Sequence, residues 1–371
     1  MLRRIIIISI SAFCLIAMVI CIAVSSSLRS ALRSQQAATA WSGQSGERFS
    51  QISVFFRETL GFDEDSIGNL RRSLDEALLR ASLEDTDGRN LYTDAWSAEV
   101  DVTLISQRTT NPTQAKAIAV GGDFFMFHPI RLRDGNYLSP SDIMHDRVVL
   151  DEELAWRLFG AIHVTGFELM LNDRPFKVAG VIARENDFAS SKAYTYGAGL
   201  FMSFEMLLEM TEGDARVSTY EIVLPDPVTG FALNTLTEAM QGQDFYAVEN
   251  STRYSLGKIF SLVGSFGERS MRQNPITFPY WENAARYTED FLALLLVLTL
   301  FFMTFPLVCA IIYLVILIRY GLNRGKQVVK HVIDQHDKRE YEKYVLQHGE
   351  DGEAYNYDAD SIIREYQDEI F

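Results

Sequence analysis

Residues 291–318 read FLALLLVLTLFFMTFPLVCAIIYLVILI, an apolar run with no charged side chain. At about 1.5 Å of rise per residue, a helix of that length crosses an apolar core of about 30 Å with tilt to spare. Arg319, Arg324, Lys326 and Lys330 follow at once, and such an excess of basic residues marks a cytoplasmic flank. Tyr280, Trp281 and Tyr287 lie at the other end, where an aromatic belt at the outer interface is expected. Pro306 falls in the middle, so the helix is predicted to lose a backbone hydrogen bond there and to kink. A re-entrant pair turned at Pro306 is the weaker reading, because each half is too short to cross and the turn would bring Arg319 to the side of Trp281.

Working outward, a second uncharged run occupies residues 5–24, behind Met1-Leu-Arg-Arg. It exceeds the roughly 7–15 apolar residues of a signal peptide, so it reads as an anchor. Its flanking arginines place the amino terminus in the cytoplasm. Neither Cys21, after Ile20, nor Cys14, after Phe13, has the small preceding residue of a lipoprotein site. The two runs agree on a two-pass protein of the cytoplasmic membrane with both termini inside. The expected organisation is an N-terminus and first membrane helix (1–28), a polar stalk or linker (29–48), an extracytoplasmic domain (49–288), a second membrane helix (289–318) and a cytoplasmic tail (319–371).

Composition narrows the partners. The chain has 371 residues, 48% of them hydrophobic, and a formal charge of −15; its mean hydropathy of +0.01 averages two very apolar runs with an acidic remainder. Phosphate binding needs a concentrated basic face, which is absent here, so nucleic acid is set aside. All three cysteines, Cys14, Cys21 and Cys309, fall in the apolar runs. The intervening segment therefore has neither a disulfide framework nor a cysteine metal site.

That segment reads as a small α+β layer. Ile52, Val54 and Phe56 alternate with Gln51, Ser53 and Phe55 as in a half-buried strand. Asp65 or Ser66 is placed to cap a helix carrying Ile67, Leu70, Leu74 and Leu78 and ending near Arg80. Strands are expected around Val100–Ser106, Ala117–Val120, Asp146–Leu150 and Glu221–Leu224. Asp151 to Phe159 reads as a short helix stopped by Gly160. Residues 167–171 and 176–182 flank a turn at Asn172-Asp-Arg-Pro175, and a further helical pattern runs from Phe231 to Met240.

Four pieces in register carry a resemblance: Gly121-Gly-Asp-Phe-Phe-Met-Phe-His-Pro129, Leu132-Arg-Asp-Gly-Asn136, Val148-Val-Leu-Asp-Glu-Glu-Leu-Ala-Trp-Arg-Leu-Phe-Gly160 and Phe176-Lys-Val-Ala-Gly-Val181. Together they resemble the extracytoplasmic core domain of MacB-type permease subunits of ABC transporters, over about residues 49–271. The resemblance implies a porter-like α+β part with an inserted, mostly β part at about residues 141–214. In that family three helices follow the domain, whereas only one is expected here, which implies a partial permease. It also implies that ATP hydrolysis on the cytoplasmic side is coupled to movement of the outer domain, with an ABC ATPase subunit, a second permease chain, or both as partners.

No P-loop is present, so the chain is not expected to be the ATPase itself and the energy is expected to come from elsewhere. His128, His145 and His163 are scattered, and no His-Glu-x-x-His occurs. Gly43-Gln-Ser-Gly46 reads as linker, and Gly197-Ala-Gly199 after Tyr194 and Tyr196 as a loop. No catalytic set, cofactor or metal is expected. Phe124, Phe125 and Phe127 form a stripe that reads either as core or as an apolar groove for a ligand. After the second apolar run, Val328, Val329, Val332, Ile333, Tyr341, Tyr344 and Val345 recur at helical spacing among Arg324, Lys326 and Lys330. This basic amphipathic helix is expected to meet inner-leaflet lipid or a cytoplasmic partner, or to stand solvated. Residues 350–371 are acidic, with a short helix expected near 361–369. The expected function is an accessory or partial permease subunit of a MacB-like assembly. The alternative is a membrane-anchored module that binds or senses a peptide or lipid without an ATPase.

Overall fold

The computed structural model describes residues 2–43, 46–57, 62–83, 90–106, 108, 111–139, 142–193, 199–271 and 276–348. The chain forms α1 (Leu2–Ala31), a 3₁₀ turn (Arg33–Gln35), α2 (Ala37–Ser42), β1 (Phe49–Phe56), α3 (Glu64–Arg80), β2 (Thr93–Ser106), β3 (Thr113–Gly122), α4 (Phe124–Phe127), β4 (Leu132–Gly135), β5 (Arg147–Asp151) and α5 (Glu152–Phe159). It continues through β6 (Glu168–Leu171), β7 (Arg174–Ile182), α6 (Ser190–Ala193), β8 (Gly199–Ser203), α7 (Phe204–Met210), β9 (Thr219–Pro225), α8 (Phe231–Ala239), β10 (Phe245–Glu249), a second 3₁₀ turn (Asn250–Thr252), α9 (Leu256–Met271) and α10 (Tyr280–His348). Two units separate by contact density: Ile16–Phe301, and Met1–Leu15 with Phe302–Phe371.

In the unit Ile16–Phe301 the strands run β10-β1-β9-β2-β3-β8-β5-β7-β4, with β6 joining β2 to β7. All pairs are antiparallel except β3 with β8 and β5 with β7. The long strand β2 serves two regions, pairing Thr93–Ser97 with β9 and Leu104–Ser106 with β6. Strands β2, β3, β8, β5, β7 and β6 thereby close into a ring, which leaves those strands no open edge toward one another. Residues 141–214, expected as an inserted β part, contribute β5 to β8 to this ring and share β2 and β3 with the rest of the sheet. Val102, Leu104, Leu150, Leu171, Phe176 and Met202 pack together in its core.

Away from the ring, Ile67, Leu70, Leu74 and Leu78 of α3 and Leu236 of α8 belong to the same core as Ile52, Val54 and Phe56 of β1. A second apolar cluster gathers Ala37, Phe124, Phe127, Val223 and Trp281. Strand β1 is therefore covered on both faces, with Gln51 and Ser53 at 0% and 2% exposure. The expectation of a half-buried strand fails here. Alternation records which residues share a face, and a polar face can still be covered when its groups find partners.

Local chemistry explains the element ends. The N-cap of α3 is Asp63, not Asp65 or Ser66; its side chain accepts from the Ser66 N–H at 2.9 Å. Asp151 caps α5 by accepting from the Leu154 N–H at 2.6 Å, and Gly160 ends that helix in the left-handed region. Asn172 and Asp173 both have positive φ, the signature of a two-residue hairpin turn. Arg174 and Pro175, expected at the tip, instead begin β7. The 29–48 segment is not a solvated stalk: α1 extends to Ala31, and Leu32, Ser34, Gln35, Ala37 and Ala38 are buried.

In the other unit, α1 and α10 touch through Phe13 and Phe302, with ring centroids 6.4 Å apart and nearly perpendicular. Pro306 lies inside α10, which is helical on either side of it. The same helix carries the basic segment, where Arg324, Lys326, Val329 and Lys330 are exposed and Ile333 is half-buried. The side chains of Tyr341, Tyr344 and Val345 lie outside the described residues. So do residues 44–45 of the glycine-serine motif, the 194–198 loop and the acidic end after His348.

Candidate functional site: a polar joint between sheet and helices

The buried polar face of β1 is where the sheet meets the ends of both long helices. Gln51 Oε1 accepts from the Ala37 N–H at 2.9 Å, and its amide donates to the Ser34 carbonyl at 2.7 Å. This fixes the chain that leaves α1. Ser53 donates to Glu221 Oε1 at 2.9 Å and accepts from Asn250 Nδ2 at 2.7 Å. Glu221 Oε2 lies 2.5 Å from His128 Nε2, and the His128 ring lies 4.5 Å from that of Trp281 on α10. Nearby, burial pushes the Glu185 carboxyl up, against a hydrogen bond from Tyr280 and the proximity of His128.

At the centre stands Arg253, 3% exposed, just past β10. Its guanidinium grips Glu282 with both terminal nitrogens at 2.7 and 2.9 Å and donates through Nε to Glu289 at 2.6 Å. The forked geometry suits a carboxylate held away from water. Glu282 also accepts from Arg286 Nε at 2.8 Å, and the Arg286 guanidinium lies 3.8 Å from the Phe278 ring centroid and 5.2 Å from that of Tyr246 on β10. Two cations and two anions thus balance. Burial opposes the charge on Arg253, but Glu282 and Glu289 outweigh it and hold its pKa well above the ordinary value.

Ser53, Glu221 and His128 are the residue types of a hydrolase triad in an order that cannot work as one. The carboxylate stands between the other two, and the serine hydroxyl donates to it instead of to the imidazole. Among the described residues, no group of three or more His, Cys, Asp or Glu is placed to hold a metal ion. What the arrangement can do is mechanical. It fixes the first turns of α10, through Trp281, Glu282, Arg286 and Glu289, to β1, β9 and β10.

Of the residues singled out in the sequence, His128 and Trp281 belong to this joint and the others lie beside it or elsewhere. Phe124 and Phe127 are 2% and 0% exposed and belong to the second apolar cluster, so they line no groove. Phe125 is half-buried and stacks on Tyr137 with centroids 4.6 Å apart. Trp281, expected in an interfacial belt, is 3% exposed and packs on Phe124 and His128. Arg324 donates to the Tyr320 hydroxyl at 3.0 Å; it lies, with Pro306, Lys326, Val329, Lys330 and Ile333, on the part of α10 beyond Phe301. The joint had one legible signal: Glu282, Arg286 and Glu289 recur at intervals of four and three, one face of a helix about to enter an apolar run.

An α+β domain flanked in sequence by two helices long and apolar enough to cross a membrane defines the class, a membrane protein with a large domain between its spans. The model of the MacB-like periplasmic core domain matches residues 5–240, and the chain belongs to that family. The match takes in the first apolar helix and ends at Met240, short of the joint's residues on α10. The macrolide export ATP-binding/permease protein MacB of Aggregatibacter actinomycetemcomitans is 24% identical over 149 residues, 38% of this chain and 22% of the relative. The alignment thus spans about a fifth of that relative's length. The periplasmic region of MacB from Actinobacillus actinomycetemcomitans has a TM-score of 0.39 at 18% identity, covering 54% of this chain and 89% of that one. The extracellular domain of the noncanonic ABC-type transporter YknZ from Gram-positive bacteria has a TM-score of 0.34 at 14% identity, covering 54% and 98%.

Proposed function

We propose that the chain is an accessory or partial permease subunit of a MacB-like ABC transporter or mechanotransmission assembly, whose extracytoplasmic domain moves with its membrane helices or scaffolds partners. The observation that carries this reading is the buried Arg253 cluster. Because Glu282 and Glu289 are held by Arg253, in the turn that directly follows β10, a tilt at the start of α10 is passed to the edge of the sheet instead of bending a linker. The relative named above joins an ATP-binding part to a permease. Carried over to this chain, that pairing makes an ABC ATPase subunit, a second permease chain, or both the partners. The basic flanks put both termini in the cytoplasm. Arg324, Lys326, Val329, Lys330 and Ile333 then face an ATPase or the anionic inner leaflet. The chain itself is read as non-catalytic.

Purification of the full chain in mild detergent is expected to recover an ATPase subunit or a second permease chain. Arg253→Met is expected to leave that association intact while abolishing any response of the outer domain to ATP, read by a fluorophore on the domain. Repeated recovery of the chain alone would overturn the reading. The alternative, a lipid- or peptide-binding module without an ATPase, has one observation in its favour: a cavity where the helices meet the sheet.

A further inference from the structure

Helix α9 sorts its described side chains onto three faces. Ile259 and Leu262 turn toward α10, where they pack with Leu292, Ala293 and Leu296. Leu256, Phe260 and Val263 follow one another at intervals of four and three, so they share a second face, and they are exposed at 69%, 65% and 38%. Lys258, Ser261 and Ser265 fall on the side opposite that stripe. Lys258 donates to Glu249 at 3.2 Å, and the two serines donate to carbonyls of their own helix.

Level, length and area together decide what covers the exposed stripe. Leu292 and Ala293 open the apolar run of α10 on the side of the domain, so the packing of Ile259 on them sets α9 at the outer boundary of the bilayer. Leu294 and Val297 of α10 are exposed at the same level, on a surface that the bilayer covers. The apolar part of α9, Leu256–Ser265, is too short to cross; an apolar segment of that length belongs to a core or to an interface, and the outward stripe excludes a core. A protein partner usually takes about 20–30 residues a side, whereas the stripe offers three side chains.

We infer that α9 lies in the outer interface of the membrane, with Leu256, Phe260 and Val263 inserted among the lipid chains and Lys258, Ser261 and Ser265 turned away from them. The attraction is apolar, because Lys258 is committed to Glu249 at the end of β10. That contact ties the bilayer surface to the same edge strand that Arg253 links to α10. The domain therefore has a foot on the lipid beside its spans, which limits how far it tilts against the bilayer. The inference rests on the membrane placement of α10 and is independent of any ATPase partner.

The test uses the full chain, with Cys14, Cys21 and Cys309 changed to alanine, as single copies in phosphatidylcholine nanodiscs. A nitroxide is attached to one new cysteine. Its collisions with oxygen, which concentrates in the bilayer, and with a water-soluble nickel chelate are read by electron paramagnetic resonance. Phe260→Cys and Val263→Cys are expected to favour oxygen severalfold more than Ser261→Cys and to approach Val297→Cys in the span, with Glu76→Cys on α3 as the aqueous reference. When Leu256→Glu and Phe260→Glu are added to Val263→Cys, the label is expected to become aqueous. The same pair added to Val297→Cys should leave its bilayer reading and the circular dichroism of the domain unchanged. Labels at positions 260 and 263 as open to the chelate as the one at 76 would overturn the inference in favour of a solvated helix. Protection of both from either reagent would overturn it in favour of a protein cover, and an unmoved label at 263 in the doubly charged chain would show that the stripe does not hold the helix in lipid.

Discussion

The Arg253 side chain makes four hydrogen bonds to described residues while almost wholly buried, so its removal acts mainly through what it leaves behind. Glu282 would keep Arg286, but Glu289 would lose the guanidinium that neutralises it. Breaking a buried ion pair from one side costs about 3–5 kcal/mol, and Arg253→Met is expected to fall in that range in a urea or thermal melt. Arg253→Lys should fall between, since a lysine keeps the charge and loses the fork. Adding Glu289→Gln to Arg253→Met should recover part of the loss, because the two residues share one interaction. Strictly additive losses would mean that the cluster is not the coupled unit its geometry implies.

Among the elements, α3 offers a pH-dependent test. Hydrogen bonds from the Ser66 hydroxyl and backbone hold the Asp63 carboxyl below its ordinary value, against a smaller opposing effect of burial. A depressed carboxylate contributes stability that is present above its unfolded pKa of about 3.9 and lost as pH falls through the lower folded value. Asp63→Asn, which keeps an accepting oxygen, should therefore lose this acid-dependent part of the melting curve between about pH 5 and 2 and little else. Asp63→Ala should cost about 1 kcal/mol at neutral pH. A wild type and Asp63→Asn that melt in parallel across that range would refute the depressed Asp63 carboxyl. The same helix shows what the sequence could reveal. Its apolar stripe Ile67, Leu70, Leu74 and Leu78 is local and was legible, as were α5 with its Gly160 stop and most strands. The cap slipped because four acidic or hydroxyl residues, Asp63 to Ser66, precede that stripe and only backbone geometry chooses among them. The joint was illegible for a different reason. Gln51 and Ser53 have the polarity of a solvent face, and only the return of the chain at residues 250–289, some two hundred positions later, turns that face inward. Of the two readings of Phe124 the structure takes the core, and Trp281, expected in an interfacial belt, is part of its cover.

At the scale of the molecule, this return means that the domain does not end where its resemblance to a known family ends. A fragment of residues 49–271 would keep the whole sheet but lose Leu32, Ala37 and Ala38 on one side and Trp281, Glu282 and Glu289 on the other. It would expose His128, Glu221 and Gln51 along with the apolar surface around Phe124, and leave Arg253 buried without its carboxylates. A fragment of residues 32–293 retains every one of these partners, starts just after α1 and cuts α10 near the start of its apolar run. The longer fragment is expected to melt cooperatively with native near-ultraviolet circular dichroism. The shorter should melt well below it, bind a hydrophobic dye and show weakened amide protection in β1 and β10, because unpaired buried charge and uncovered apolar surface act together. Equal stability of the two fragments would show that the helix ends rest on the sheet without supporting it, and that tilting α10 has no lever on the domain.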